Sequence, residues 1–339
     1  MNFGIITECY VREGKDHTLA FDDTFEQVAA AEQLGLDSVW VVEQHFRPWA
    51  SILPSPMVMA AAIAARTARL RVGLAVQVLP LNNPLRIAEE AAMVDHISHG
   101  RFDFGVGRSG IPKFYDGYNI PYSESRERFS EALEVILRAF TLETFSFTGR
   151  FFNFRDVTLA PKPLQKPHPP VHIAVSHPEN LPELGRRGFP ALLWYNSGAF
   201  HEKEILGYRQ SWREAGHPGQ GQISVRVAAY VGETPAKARN EPRDSALHDL
   251  RRSAREYRQM NQEDRAANAE RLLGNYDEVL RTRAMFGSPE EVVERLIEFQ
   301  ERMTADGVLL DLNYGGQIPQ ELVLNSMRLL ADRVVPAFR

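Results

Sequence analysis

The feature that most constrains the fold is a repeated alternation of short apolar runs with amphipathic segments. Runs of about five to nine residues rich in Val, Ile, Leu and Phe recur along the chain, and nearly all of them precede a helical pattern. Runs of this length with helices between them are typical of buried strands in parallel sheets. The eight runs lie at 3–7, 38–42, 71–79, 101–106, 171–175, 191–195, 223–231 and 307–312.

Eight strand–helix units predict a (β/α)8 barrel, a TIM barrel, better than an open sheet. A doubly wound sheet is the alternative, and it would leave two or three strands without a place. The 339 residues, 44% of them hydrophobic, suffice for one large core, so we expect a single domain over 1–339. A boundary at the proline-rich stretch 161–170 is disfavoured because an apolar run resumes directly after it.

One segment breaks the alternation. Residues 234–286 are dense in Arg, Glu, Asp, Asn and Gln and carry few apolar side chains, which predicts a helical insertion after the seventh strand. One interpretation is a solvated helical excursion on the surface. The other is a lid over the mouth of the barrel.

Composition excludes several classes of protein. The net charge of -5 and the lack of a basic tract argue against a nucleic-acid partner. The single cysteine, Cys9, excludes an internal disulfide framework and a thiolate metal site. His168, His172 and His177 lack compact ligand spacing, so we expect no metal. No apolar run approaches the roughly 18 residues of a membrane span, and 3–7 is too short for a signal peptide, so we expect a cytoplasmic protein.

Polar and aromatic side chains follow the predicted strands at the points where the strands end. Active sites of (β/α)8 barrels form at the carboxyl ends of their strands, so these side chains are expected to share one pocket. They are Glu43, Gln44 and His45 after the second strand, Arg108 after the fourth, Ser176 and His177 after the fifth, and Trp194 and Tyr195 after the sixth.

A phosphate site is predicted from two neighbouring strand ends. The glycine-rich stretch 100–110 places exposed backbone N–H groups beside the fixed positive charge of Arg108. Ser176, His177 and Asn180 begin the segment after the fifth strand, where free helix N–H groups favour an anion. Ordinary helix capping by Ser176 is the alternative interpretation.

His45 is the best candidate for proton transfer, because imidazole titrates near neutral pH. Glu43 would orient it or would only satisfy the barrel rim. The alternative for His45 is a structural histidine bonded to a neighbouring side chain. The aromatic side chains of the chain indicate an apolar substrate pocket, and they are Phe46, Trp49, Phe114, Tyr115 and Trp194.

Several motifs resemble the bacterial-luciferase-like family of flavin-dependent monooxygenases, which includes alkanal monooxygenase. The match runs nearly from end to end. Its motifs are Glu43-Gln44-His45-Phe46, the run 84–90, the run 95–108 and the shorter runs 147–152, 287–291 and 334–336. The resemblance implies that a separate flavin reductase supplies reduced FMN, which reacts with O2 at C4a. The C4a-peroxyflavin then oxygenates a small, largely apolar organic substrate.

The resemblance also implies roles for particular residues. FMN phosphate would bind Arg108 and the segment beginning at Ser176, His177 and Asn180. The flavin ring would lie over a non-proline cis peptide at Ala75-Val76. Phe46, Trp194 and Tyr195 would wall the substrate pocket, and Glu43, Gln44 and His45 would form the catalytic group. Segment 234–286 corresponds to a mobile lid, and a homodimer is expected.

Two positions depart from the luciferase pattern. Gln44 stands where luciferases have the first of two histidines, and an amide cannot act as a general base, which argues against luciferase-like aldehyde chemistry and light emission. Gly107 replaces a reactive cysteine.

Two other functions stay open: a deazaflavin-dependent hydride-transfer enzyme, although no lysine-rich rim suits that cofactor's tail, and a non-catalytic flavin-binding partner subunit.

Overall fold

The computed structural model describes residues 1–195 and 202–339. Within this part of the chain, most of the strands are short, buried and parallel. They are β1 (Asn2–Thr7), β2 (Ser38–Val41), β3 (Arg71–Leu74), β4 (Gln77–Val78), β5 (Phe102–Gly107), β6 (Phe145–Thr148), β7 (Asn153–Val157), β8 (Val171–Ala174), β9 (Ala191–Trp194), β10 (Ile223–Val231), β11 (Ala284–Gly287) and β12 (Gly307–Asp311).

Helices separate these strands, and many begin at a side-chain cap followed by proline, as at Asn83 and Ser288. None of the described helices has the length and apolarity needed to cross a bilayer. They are α1 (His17–Leu34), α2 (Pro56–Ala64), α3 (Pro84–Ile97), α4 (Pro112–Gly117), α5 (Ser125–Thr141), α6 (Leu181–Arg186), α7 (Glu202–Glu214), α8 (Pro235–Asn240), α9 (Arg243–Gln259), α10 (Glu263–Leu273), α11 (Tyr276–Thr282), α12 (Pro289–Met303) and α13 (Gln320–Leu329).

The parallel strands close into a barrel in the order β1–β2–β3–β5–β8–β9–β10–β12, with β12 paired to β1. This closure confirms the predicted (β/α)8 barrel and rules out the doubly wound sheet, which would leave two open edges. The hairpin of β6 and β7 lies outside the barrel as a separate two-stranded sheet.

Two strands differ from the prediction. The run 71–79 is divided by a cis peptide between Ala75 and Val76, after which β4 pairs with β5. The cis bond lies where the family resemblance placed it. β11 was missed because it is only four residues long and lies at the end of a highly charged segment, yet it is fully buried and pairs with the second half of β10.

Alternation along the strands divides the core into two parts. Outward side chains such as Val39 and Val41 join the large cluster between barrel and helices. Inward side chains, among them Trp40 and Val42, form a separate cluster inside the barrel with Ala75 and Val76 packed against it. Side chains alternate between the two faces of a strand, and Trp40 and Val42 point into the barrel. If this alternation continues past Val42, every second residue of the following segment faces the mouth.

Candidate active site

The carboxyl ends of the barrel strands form a mouth with two unlike halves. The small-residue half consists of Ala75, Val76, Gly107 and Ala174, on the ends of β3, β5 and β8. The ionic half consists of Glu8 and Tyr10 in the loop after β1, Arg226 on β10 and Asp311 on β12.

The small-residue half is an apolar surface that carries no long side chain. A Cβ atom at Gly107 would lie 2.5 Å from Cγ2 of Val76 and 3.5 Å from Cβ of Ala174, so these residues are in contact. Val76 packs directly onto the Gly107 backbone, while Ala75 and Val76 are half-buried and Ala174 is exposed. With no long side chain on it, this half can accept a flat apolar ligand.

Aromatic side chains flank this half on both sides. Phe46 follows β2 and is 44% exposed, and Trp194 ends β9 and is 54% exposed. Three strands, β3, β5 and β8, separate them in the barrel. Tyr195 does not join them. It lies on the outer phase of β9, buried against Phe299 of α12 with their ring centroids 5.7 Å apart, so it cannot wall the mouth as predicted.

Arg108 follows β5 directly and is held at the start of α5. Its Nη1 donates to Oγ of Ser125 at 2.9 Å, its guanidinium lies 5.7 Å from the Tyr122 ring centroid, and its carbonyl accepts from the Tyr115 hydroxyl. The side chain is half-buried. These contacts fix a positive charge at the rim next to the small-residue half.

The second part of the predicted phosphate site lies on the adjacent strand. β5 and β8 pair with Val106 opposite Ile173, so Arg108 and Ser176 leave the barrel side by side. Ser176 and Asn180 are exposed, and His177 pairs with Glu179 at 3.4 Å. The predicted helix does not begin at Ser176. A 3₁₀ turn, Pro178–Asn180, precedes α6, and neither start carries a side-chain cap, so Ser176 is not a capping residue.

Glu43 and His45 face away from the mouth. His45 is buried, with Nε2 2.8 Å from Oε1 of Glu43 and Nδ1 3.2 Å from the Tyr118 hydroxyl. Because a carboxylate only accepts, Nε2 carries the proton and Nδ1 accepts from Tyr118. Both nitrogens are therefore engaged, which favours the structural interpretation of His45 over proton transfer to a ligand.

Glu43 ties the end of β2 to the end of β4. Its Oε2 accepts from Nε2 of Gln77 at 2.6 Å and from the backbone N–H of Val78 at 2.8 Å. Burial raises the pKa of Glu43, and the hydrogen bonds from His45 and Val78 act in the opposite direction. Glu43 thus positions the segment that carries Ala75 and Val76.

Gln44, not His45, has the inward phase. Its Nε2 donates to Oε2 of Glu8 at 3.3 Å, and its Oε1 accepts from Nη1 of Arg47 at 2.8 Å. Arg47 continues to Glu256 of α9, donating from Nε at 3.0 Å and from Nη2. The amide therefore links a buried carboxylate of the barrel to the insertion, and it cannot itself take a proton.

The ionic half is centred on Arg226. Its Nη2 lies 2.6 Å from Oε1 of Glu8 and 2.6 Å from Oδ2 of Asp311, which also accepts from the Tyr10 hydroxyl at 2.9 Å. Although burial acts to raise it, the pKa of Glu8 is lowered by nearby guanidinium groups, chiefly that of Arg226. Burial raises the pKa of Asp311. The positive charge of Arg226 acts to lower this pKa, and the negative charge of Glu8 acts to raise it.

Helix α9 of the insertion lies across the ionic half. Ser245, Asp249 and Glu256 fall on one stripe of this helix. Ser245 donates to the carbonyl of Tyr314 at 2.7 Å, Asp249 accepts from the Tyr314 hydroxyl at 2.6 Å, and Glu256 accepts from Arg47. The insertion is therefore bonded to the mouth by polar contacts, and the lid over the mouth stays a prediction.

A family model described as luciferase-like monooxygenase matches residues 1–306. The chain belongs to the luciferase-like monooxygenase family. The resemblance drawn from the motifs is thereby confirmed.

Relatives of the chain include oxygenases and an F420-dependent dehydrogenase. Protein y4vJ of Sinorhizobium fredii is 28% identical over 326 residues, covering 93% of this chain and 91% of that protein. Limonene 1,2-monooxygenase of Rhodococcus erythropolis is 26% identical, covering 100% and 87%. The F420-dependent glucose-6-phosphate dehydrogenase of Kineococcus radiotolerans is 30% identical over 218 residues, covering 61% and 64%.

Solved structures show the same architecture. Monooxygenase RslO1 from Streptomyces bottropensis superposes with a TM-score of 0.86 at 27% identity over 100% of both chains. The oxygenating constituent of 3,6-diketocamphane monooxygenase from Pseudomonas putida, in complex with FMN, has a TM-score of 0.84 over 99% of this chain and 98% of that chain. At 19% identity, the latter shows the fold alone.

Sequence reasoning missed the ionic half of the mouth. Glu8 follows β1, Arg226 lies within β10 and Asp311 ends β12, and each has the inward phase of its strand. A charged residue at an inward position of an apolar strand is a signal that the strand patterns contained. The pairing of the three required the closed barrel.

Proposed function

We propose that the chain is a two-component FMN-dependent monooxygenase that receives reduced FMN from a separate flavin reductase and, with O2, oxygenates a small, largely apolar organic substrate. The observation that carries the proposal is the small-residue half of the mouth lying beside Arg108. Membership of the luciferase-like monooxygenase family and the likeness to RslO1 support it.

The residues present fit FMN in two respects. The small-residue half suits a planar ring, because no long side chain rises from it. Val76 fills the space beside position 107, so only glycine fits there. Arg108 supplies a fixed charge for the phosphate at the adjoining rim. Reduced FMN, when bound, supplies the electrons that activate O2 for transfer of one oxygen atom.

The chain's own residues would bind, orient and shield. Phe46 and Trp194 border the small-residue half and would keep water from it. Gln44 presents an amide toward the mouth, so it can orient a ligand oxygen but cannot remove a proton. Glu43 and His45, bonded to each other behind the rim, act as positioning residues.

A deazaflavin is the second candidate cofactor, because the F420-dependent relative is 30% identical over 218 residues. Deazaflavins carry out hydride transfer and would make the chain a dehydrogenase. Equilibrium titration of the protein with FMN and with F420 under identical conditions separates the two candidates. The proposal requires the tighter complex to be the one with FMN.

The phosphate anchor is tested by comparing FMN with riboflavin, which lacks the phosphate. Loss of a charge-assisted hydrogen bond costs about 1.5–3 kcal/mol, so Arg108→Ala should weaken FMN binding roughly 10- to 150-fold and leave riboflavin binding unchanged. Arg126→Ala is the matched control, because Arg126 lies on the same helix as Ser125 and is exposed. Equal FMN affinity in wild type and Arg108→Ala would refute the anchor.

The reaction class is tested by stopped-flow mixing of the reduced FMN complex with O2. Bound flavin should reoxidise through a slow phase that free reduced FMN lacks, because the residues bordering the mouth would shield the bound ring from water. Reoxidation identical to that of free flavin would contradict the monooxygenase proposal. Reoxidation is followed by flavin absorbance, with wild-type protein and with the flavin alone.

A further inference from the structure

Arg226 has hydrogen-bond donors that no described residue of the protein accepts. All its polar contacts in the described residues, to Glu8, Tyr10 and Asp311, are made by Nη2. Its Nε and Nη1 are not among the fully buried unpaired atoms, and 13% of the side chain is exposed. A guanidinium carries five N–H donors in a planar fork, so one edge of Arg226 is open toward the mouth.

Trp194 covers one face of the same group. The Arg226 guanidinium carbon lies 5.0 Å from the Trp194 ring centroid, and the two residues are paired in the register of β9 and β10. With 54% of its surface exposed, Trp194 offers apolar area next to the open guanidinium edge. A ligand with one polar atom and an apolar body would meet both features at once.

The charge around Arg226 selects among polar atoms. Glu8 and Asp311 both lie 2.6 Å from its Nη2, so the cation is already balanced by carboxylates. An anionic ligand at the open edge would lose its bound water and lie near these two carboxylates. No net positive charge of the three groups would compensate for that loss. A neutral acceptor, such as a carbonyl oxygen, has no such cost.

We propose that Arg226 binds the carbonyl oxygen of a neutral organic substrate through its Nε–Nη1 edge, while Trp194 packs against the apolar body. The proposal rests on the proposed monooxygenase function and deepens it by naming the substrate class: neutral, carbonyl-bearing molecules, and not carboxylates. Arg226 is then a specificity-determining residue of the mouth.

The test compares three ligands of similar shape by calorimetric titration of the cofactor-free protein. Cyclohexanone carries the carbonyl, methylenecyclohexane replaces its oxygen by CH2, and cyclohexanecarboxylate is the anion. Wild type should prefer cyclohexanone to methylenecyclohexane about tenfold or more, the range for hydrogen bonds to a charged donor, and should bind the carboxylate more weakly than the ketone.

Arg226→Lys keeps the charge that Glu8 and Asp311 require but removes the planar edge, so the ketone preference should fall close to one. Trp194→Ala should weaken the binding of ketone and alkene equally and leave the ratio of their affinities unchanged. Should Arg226→Lys not fold, Arg226→Gln/Asp311→Asn serves instead, because Arg47 and Arg252 still face Glu8. A ketone preference unchanged in the Arg226 variant, or a carboxylate bound more tightly than the ketone, would overturn the proposal.

A parallel FMN titration separates the substrate from the flavin as the source of the carbonyl. The affinity of Arg226→Lys for FMN should equal that of wild type. A tenfold loss of FMN affinity with an unchanged ketone preference would assign Arg226 to the flavin and overturn the proposal. Since the ketone titration uses no cofactor, its result is independent of whether bound reduced FMN reacts as a monooxygenase cofactor.

Discussion

The two halves of the barrel mouth have opposite chemistry, although both end the same set of parallel strands. On β3, β5 and β8 the inward positions hold Ala75, Val76, Gly107 and Ala174, and part of this surface is open. On β1, β10 and β12 they hold charged side chains that bond to one another beneath α9. One half is therefore free to bind, and the other has its partners already in place.

This difference shows how a single scaffold separates binding from selection. Apolar area in the small-residue half gives affinity for a flat ring without demanding a particular polar partner. Buried ion pairs add little net stability, because desolvation offsets their attraction. A further charge without a partner at such a site, however, costs several kcal/mol. The ionic half is thus suited to discriminate between ligands.

The largest effect is expected from removing the cation of the ionic half. Arg226→Met leaves Glu8 and Asp311 buried without their shared partner, which should lower the free energy of unfolding by about 3–5 kcal/mol. The triple variant Glu8→Gln/Arg226→Met/Asp311→Asn should recover most of this loss, because none of the three replaced side chains then carries a charge, while Arg47 and Arg252 keep Glu256 and Asp249 as partners. Urea denaturation measures both, and a single variant as stable as wild type would show that the ionic half is not a coupled unit.

A smaller effect is expected from filling the small-residue half. Gly107→Ala places a methyl group 2.5 Å from Cγ2 of Val76, and overpacking of this kind costs about 1–3 kcal/mol. The change should also weaken FMN binding, since Val76 must move. Val76→Ala/Gly107→Ala should restore stability.

Gly110→Ala is the matched control for the same loop. No heavy atom lies within 4 Å of its added Cβ, so its stability should stay within about 0.5 kcal/mol of wild type. If Gly107→Ala and Gly110→Ala behaved alike in thermal unfolding, the close packing of Val76 on β5 would be refuted.

The attachment of α9 to the ionic half should be weaker still. Glu256→Gln removes a partly buried charge partner of Arg47, with an expected loss of about 1 kcal/mol. Hydrogen exchange of α9 amides should accelerate, while amides of β3 and β5 stay protected. Exchange that rose equally in both places would mean that α9 opens only with global unfolding.

The smallest effect is a pH dependence of opposite sign at two buried carboxylates. The raised pKa of Glu43 means that its folded form keeps a proton longer than the unfolded chain, so stability relative to Glu43→Gln is lost as pH rises through the folded pKa. The lowered pKa of Glu8 gives stability above the unfolded value that is lost as pH falls.

Unfolding of wild type, Glu43→Gln and Glu8→Gln across the acid-to-neutral range gives the two slopes directly. Opposite slopes of stability against pH support the contrast between the two carboxylates. Glu43 lies behind the small-residue half and is bonded to neutral donors, whereas Glu8 lies in the ionic half and faces guanidinium groups. Slopes of the same sign would mean that both carboxylates respond to burial alone.

The strands were predictable because their apolar runs and periodic helices carry local signals, and the closed barrel followed from their number. That Gln44, and not His45, faces the mouth was also predictable, because side chains alternate along a strand and Trp40 and Val42 point inward. β11 was not predictable, since four residues after a charged segment give no periodic signal. The bonding of Arg226 to Glu8 depends on strands far apart in sequence, and one sequence carries no information on that pairing.

A crystal structure of the FMN complex tests the division of the mouth most directly. We predict that the flavin ring lies within van der Waals distance of Val76, Gly107 and Ala174, with its phosphate at Arg108 and Ser176. The edge of Arg226 should then remain free of the flavin. A ring placed over Glu8, Arg226 and Asp311, or a phosphate bound away from Arg108, would contradict the division of the mouth into a binding half and a selecting half.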